Sequence, residues 1–428
     1  MNISWPHVVQ VDTVRCVVEQ VLKATDPSPP TRAWCCDTSR PNGPVRLLAF
    51  GKASISMAEA AFSALGNRIS SGLVIGYPDQ IASWSAPPRC SALPADHPLP
   101  TQRNIIAANR VRDFVADRSN PDPILALISG GGSSMLTSPA PGISLDDIRT
   151  LSNALMRAGA TIEELNAVRK HIDTIKGGRL GLAANGLRVD VALLSDVIGD
   201  RIDTIASGPF APDQTTFSDA LTILQRTGLL GLVPSVTAHL EHGHRTGIGE
   251  TPKPGCPELA SISHTILAGN TSAATAADHA LRGLHLNTAV RTEWTGESDE
   301  LAKELVASLV GPNSAAVIAG EPTVSNVAPD ARGGPVQQAV LAAAILLEKL
   351  AGDWLVCGVA TDGFDGPTDA AGAAMDQTSL YTARALDLDP QQCLHEHRSY
   401  PLFKAIKTHI QTGPTGTNIN DVLFAIRW

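Results

Sequence analysis

Through the first half of the chain, short apolar runs alternate with amphipathic stretches and polar turns. Residues 8–24 place Val11, Val14, Val18 and Leu22 at helical spacing. Residues 26–42, rich in Pro, Thr, Arg and Cys, predict a surface connection. Residues 45–50 predict a strand closed by Gly51-Lys52-Ala53-Ser54, with a helix after it. Further strands are expected at 72–76, 124–128 and 189–194, and helices at 104–115, 144–158 and 161–176. Ser144 and Thr161 each head a capping box. The helix from Thr161 would carry its apolar stripe on Ile162, Leu165, Val168, Ile172 and Ile175. Asn166, Arg169, Lys170 and Asp173 fall off that stripe, and Gly177 and Gly178 stop the helix. Such alternation predicts an α/β fold with a mostly parallel sheet, whose ligands gather beyond the carboxyl ends of the strands.

The second half repeats the pattern. Strands are expected at 265–268, 315–319, 354–360 and 422–426, with helices after Asn270, after Ser298 and over 336–350. Residues 241–258 hold His242-Gly243-His244 and the prolines Pro252, Pro254 and Pro257, and read as a linker. The expected domains are therefore 1–240 and 261–428, joined by 241–260. A length of 428 residues agrees, being too much for one ordinary core.

Composition narrows the function classes. A formal net charge of −9 argues against broad nucleic-acid binding and against a basic membrane-binding face. The seven cysteines are scattered with no CxxC pair, which supports neither a zinc ribbon nor a disulfide framework. Reduced thiols, the lack of a basic-then-apolar leader and the lack of a membrane-length apolar run predict a soluble cytoplasmic protein. Self-association stays open.

The candidate chemistry clusters at strand ends. After the apolar run 124–128 come Ser129, Gly130, Gly131, Gly132, Ser133 and Ser134, whose amides and hydroxyls suit a phosphate or carboxylate. Lys52 is a cation at a strand-to-helix turn. The turn is not a Walker loop, because position 46 is Arg where that motif needs Gly. His97, in the proline-rich turn 95–100, reads as structural. Arg169, Lys170, Lys176 and Arg179 read first as a solvated basic face, with anion binding as the second reading. Asp196 follows the strand 189–194 and could hold Mg²⁺ near phosphates or cap a helix. Arg332 precedes two glycines and a helix start, a placement suited to a carboxylate or phosphate. Asp362, Asp365 and Asp369 could converge on a cation, although their spacing fails the EF-hand pattern. Residues 412–421 form a last polar loop.

Taken in order, the runs 50–53, 129–134, 166–171, 175–180, 194–200, 205–209, 269–270, 361–372 and 412–421 resemble the glycerate 2-kinase family of MOFRL type. The resemblance implies two α/β domains, the N-terminal one Rossmann-like, with an active cleft between them. It implies transfer of the γ-phosphoryl group of ATP to D-glycerate, giving 2-phosphoglycerate, with a divalent metal such as Mg²⁺. On that resemblance Lys52, Arg332, Asp196 and Asp362 match catalytic positions, with Asp196 and Asp362 also the metal candidates. Ser129 to Ser134 and Asn270 match cofactor-binding positions. One departure stands out. Where the family usually reads Arg-Gly-Gly-Arg-Asn-Gln-Glu, this chain has Arg332-Gly333-Gly334-Pro335-Val336-Gln337-Gln338. The expectation is that Val336→Asn with Gln338→Glu raises glycerate activity. A kinase for a related small hydroxy acid, a hydroxypyruvate reductase and a non-catalytic anion-binding relative are the competing readings. The reductase would need a dinucleotide fingerprint, which Gly130 and Gly132 begin and Met135 breaks.

Overall fold

A computed structural model describes residues 3–325, 327–328 and 331–428. The chain divides into two compact units. The N-terminal unit comprises Pro27–Ser195 and Asp200–Leu267, and the C-terminal unit comprises the segment through Asp26, Asp196–Gly199 and Ala268–Trp428.

The N-terminal unit is built on six strands: β1 (Val45–Phe50), β2 (Ile69–Gly76), β3 (Cys90–Pro94), β4 (Ile124–Ile128), β5 (Val189–Leu194) and β6 (Ile262–Ala268). Their order is β3-β2-β1-β4-β5-β6, and every pairing among β1 to β5 is parallel. This is the strand order of a Rossmann sheet, with the switch point between β1 and β4. β1, β4 and β5 are buried at every position, which is why they read as continuous apolar runs. A helical cluster lies beside the sheet, formed by Leu145–Arg157, Ile162–His171, Phe217–Arg226 and Pro234–Thr246 around Leu151, Leu165, Val168, Phe217 and Leu240.

The C-terminal unit holds β7 (Asn287–Glu297), β8 (Ser314–Thr323), β9 (Trp354–Ala360), β10 (Gly372–Asp376), β11 (His409–Ile410) and β12 (Asp421–Arg427), in the order β11-β10-β9-β12-β8-β7. Only β7–β8 is parallel among these pairings. Strand residues alternate between two cores, as a period of two requires. Ala316 and Ile318 of β8, with Leu423 and Ala425 of β12, pack with the helix Pro335–Leu347. Ala315, Val317 and Ala319, with Val422, Phe424 and Ile426, pack with the helices Val11–Ala24 and Asn270–Gly283. The first helix of the chain thus completes the C-terminal unit.

Several expectations are corrected. Residues 26–42 contain the helix Ser28–Cys35, which buries Thr31, Trp34 and Cys35. The helix from Thr161 stops at His171, and Asn166, Lys170 and Asp173 are buried although they fall off its apolar stripe. The start of the expected linker is helical: Pro234–Thr246 runs through His242-Gly243-His244, and a Cβ on Gly243 would overlap the Phe217 ring. Since β6 joins the first sheet, the units divide at Leu267 rather than across 241–260. Among the described residues no helix is long and apolar enough to cross a membrane.

Candidate active site

At the switch point of the N-terminal sheet, the loops after β1 and β4 are locked together. Ser129 N–H donates to Phe50 O at 3.2 Å, Lys52 N–H to Gly130 O at 2.9 Å, and Ala53 N–H to Ser129 Oγ at 3.0 Å. Gly51 takes φ 112°, and Gly131 takes φ 82° before the short turn Gly132–Met135. A Cβ on Gly131 would lie 3.1 Å from Lys52 Cγ and 3.2 Å from His97 Cδ2. Lys52, His97 and the glycine loop therefore share one corner. Asn104 holds that corner in place, donating to Asp96 O at 2.7 Å and Ser134 O at 2.8 Å. His97, read from sequence as structural, belongs to this corner, with Tyr77 Oη 3.4 Å from its Nδ1.

A cavity of about 510 Å³ opens beside the glycine loop. Its lining carries Arg149, Arg169 and Lys176 against the single carboxylate Asp173, so it favours anions. Burial lowers the Lys176 ammonium from its ordinary value, and Asp173 opposes that shift. Lys176 Nζ lies 2.9 Å from Asp173 Oδ2, and Asp173 also accepts from Ser138 N–H at 2.9 Å. A serine relay reaches the loop from behind. Ser133 Oγ is 2.7 Å from Ser207 Oγ, which donates to Asn166 Oδ1 at 3.0 Å. Ala206 and Ser207 hold φ of 51° and 60°, a strained conformation of the kind that gathers at functional sites.

The basic cluster of the sequence is not a solvated face. Lys170 is buried and pairs with Asp213 at 3.0 Å and Asp203 at 3.5 Å. Asp213 is held below the usual carboxylate range: burial would raise it, and Lys170 with the Thr215 hydrogen bonds outweighs burial. These contacts anchor the segment that carries Ser207. Nothing in the local sequence pairs Lys170 with a residue 43 positions on.

In the C-terminal unit the loop 412–421 bonds the backbone carbonyl of Asp362 and the side-chain carboxylate of Asp196. Thr415 N–H donates to Asp362 O at 3.3 Å, and Asn418 Nδ2 donates to Asp196 Oδ2 at 3.4 Å. Both aspartates are half-buried. Mg²⁺ takes one or two carboxylates beside phosphate oxygens, so either aspartate has the donor chemistry for it. Among the described residues no group of three or more His, Cys, Asp or Glu could hold a metal. The expected convergence of Asp362, Asp365 and Asp369 is corrected: Asp365 accepts from the N–H groups of Val336 and Gln337, at 3.0 and 2.8 Å, and Asp369 bonds Tyr400 Oη. Arg332 is exposed, its backbone pinned by His397 and Tyr400. Gly334 packs so closely that a Cβ there would overlap the Asp365 carboxylate. Asn270 is buried, donates to Ala319 O at 3.1 Å, and leaves its Oδ1 without a partner among the described residues.

Burial pushes the Asp365 carboxyl up to about 6, against the pull of the Gln337 and Val336 N–H groups. An unfolded aspartate titrates near ~3.9. The folded state therefore keeps its proton longer, and stability falls as pH rises from about 4 to about 6, by on the order of 3 kcal/mol. Denaturant titrations across that window should show this slope in the wild type and its absence in Asp365→Asn.

The altered segment after Arg332 is structural. Val336 is fully buried against the β9 core, and Gln338 donates to Leu394 O at 3.0 Å while lying 3.5 Å from Asp299. Val336→Asn would bury an amide, and Gln338→Glu would lose its donor and face a like charge. The double variant is expected to lose about 2–5 kcal/mol by urea denaturation and to gain no glycerate activity. This replaces the expectation drawn from the sequence.

The chain is similar to known proteins along most of its length. Residues 7–241 match the model of a domain of unknown function, DUF4147, and residues 314–421 match the MOFRL family. The D-glycerate 2-kinase of Thermotoga maritima is 35% identical over 398 residues, covering 89% of this chain and 90% of that one. A protein of Agrobacterium vitis with the provisional name hydroxypyruvate reductase is 38% identical over 98% of this chain and 95% of its own. The crystal structure of a glycerate kinase from Thermotoga maritima superposes with a TM-score of 0.85 at 33% identity, over 97% of this chain and 99% of that one. By these matches, which run nearly end to end, the chain belongs to the MOFRL-type glycerate 2-kinase family.

Proposed function

We propose that this protein is an ATP-dependent kinase that transfers the γ-phosphoryl group to D-glycerate, giving 2-phosphoglycerate. The observation that carries the reading is Lys52 beside the Gly131 loop and a cavity with a net positive lining, at the switch point of a Rossmann-ordered sheet. Phosphoryl transfer depends on positioning and on neutralising negative charge spread over oxygens. Lys52 would meet that charge, and the amides and hydroxyls of residues 129–134 would orient the phosphates. Arg169 and Lys176 would favour an anion in the cavity. Arg332 would hold the carboxylate of the acid. Asp196 and Asp362 are the carboxylates for Mg²⁺ and for the proton leaving the 2-hydroxyl. Mg²⁺, when bound, would neutralise the phosphate oxygens.

The reductase reading has one observation behind it, the name given to the Agrobacterium vitis relative. Against it stands Met135, fully buried where a dinucleotide fingerprint needs its third glycine. A steady-state assay separates the readings. ADP release should depend on D-glycerate, and NADH should not be oxidised with hydroxypyruvate. The opposite pattern would establish the reductase.

A further inference from the structure

The N-terminal unit carries a second cavity, of about 260 Å³, between the β1–β2–β3 face and the helix Gln102–Ala116. Register accounts for its lining. Arg46 of β1 pairs opposite Ser71 of β2, so both side chains leave the sheet on the same face. Arg110, Asp113, Phe114 and Asp117 recur along one face of the helix. Arg89 enters from the turn before β3, at φ 64°. Arg46 is the second residue of β1 and Lys52 follows its far end, so the two are separated by roughly 20 Å of chain.

Arg46 is the unusual member. It is 1% exposed, its guanidinium lies 4.4 Å from the centre of the Phe114 ring, and its Nη1 donates to Asp117 O and Asn120 O, each at 3.2 Å. Its Nε is buried with no partner among the described residues. A guanidinium stays charged at every pH the protein meets, so an open buried donor marks an incomplete set of contacts. Arg89 and Arg110 are exposed at the rim, as are Asp113 and Asp117. Three guanidinium groups against two carboxylates leave the lining one positive charge in excess, in a chain whose net charge is −9.

We propose that this cavity is an anion site distinct from the kinase site, and that it takes a phosphoryl group. Arg46 approaches from the sheet, Arg89 from the turn and Arg110 from the helix. Donors from three directions suit a tetrahedral phosphate, whereas one guanidinium fork already satisfies a planar carboxylate. The phosphoryl group belongs either to free phosphate or to a small phosphorylated metabolite.

The test is isothermal titration of the full chain, at fixed ionic strength, with inorganic phosphate, glycerol 3-phosphate and acetate. Arg89→Gln with Arg110→Gln should weaken phosphate binding by at least about tenfold, roughly the value of one charge-assisted contact. ADP formation from ATP and D-glycerate should be unchanged in that variant. Lys52→Ala should leave this phosphate binding in place. Tighter binding of glycerol 3-phosphate than of phosphate, through the same arginines, would identify a phosphorylated metabolite, and weaker binding would identify free phosphate. If the double variant fails to fold, Arg110→Gln alone carries the test with a smaller loss. Phosphate affinity equal in the arginine variant and the wild type, no phosphate binding, or acetate bound as tightly as phosphate would each overturn the proposal.

Discussion

Lys52→Ala is expected to lower kcat for phosphoryl transfer by about a hundredfold or more, the usual cost of removing a donor aimed at developing negative charge. The fold should survive the change. The Lys52 residue is half-buried, and alanine keeps the backbone bond to Gly130 O that ties the β1 and β4 loops. Far-UV circular dichroism and urea midpoints should therefore match the wild type while turnover collapses. Near-native turnover in a folded variant would remove Lys52 from the chemistry.

Gly51→Ala should be the most damaging small substitution near the site. Gly51 sits at φ 112°, where a side chain is strained, and a Cβ would lie 2.5 Å from Ser129 O and 2.9 Å from Ser129 C. Those are backbone atoms of the facing loop, so they cannot rotate away. Backbone strain and overpacking together should cost about 2–5 kcal/mol. Relief would come by moving Ser129 and the glycines after it, so KM for ATP should rise along with the loss of stability. A variant with wild-type urea midpoint and KM would show that the β1 and β4 loops are not locked as described.

Much of this was legible in the sequence. β1, β4 and β5 are buried on both faces, so each appears as an unbroken apolar run with turn residues at its end. The capping boxes at Ser144 and Thr161 form as their spacing predicts. The nearness of the glycine loop and Lys52 follows from their places after the neighbouring strands β4 and β1. β7 was missed because it is a mostly exposed edge strand and carries polar residues on both faces. Lys170 was misread because its neutralising partner, Asp213, lies far along the chain. Asp365 was misread because its role depends on a helix start that packs against it, which local spacing does not reveal. Ser207 gave no signal beyond a tight turn, and only the folded chain shows that it bonds Ser133.

The most direct measurement is ³¹P NMR of the full chain incubated with ATP, Mg²⁺ and D-glycerate. The account predicts that the γ-phosphate resonance of ATP disappears as that of 2-phosphoglycerate grows in equal amount. A product phosphorylated at the 3-hydroxyl, or ATP left intact beside a folded protein, would contradict it.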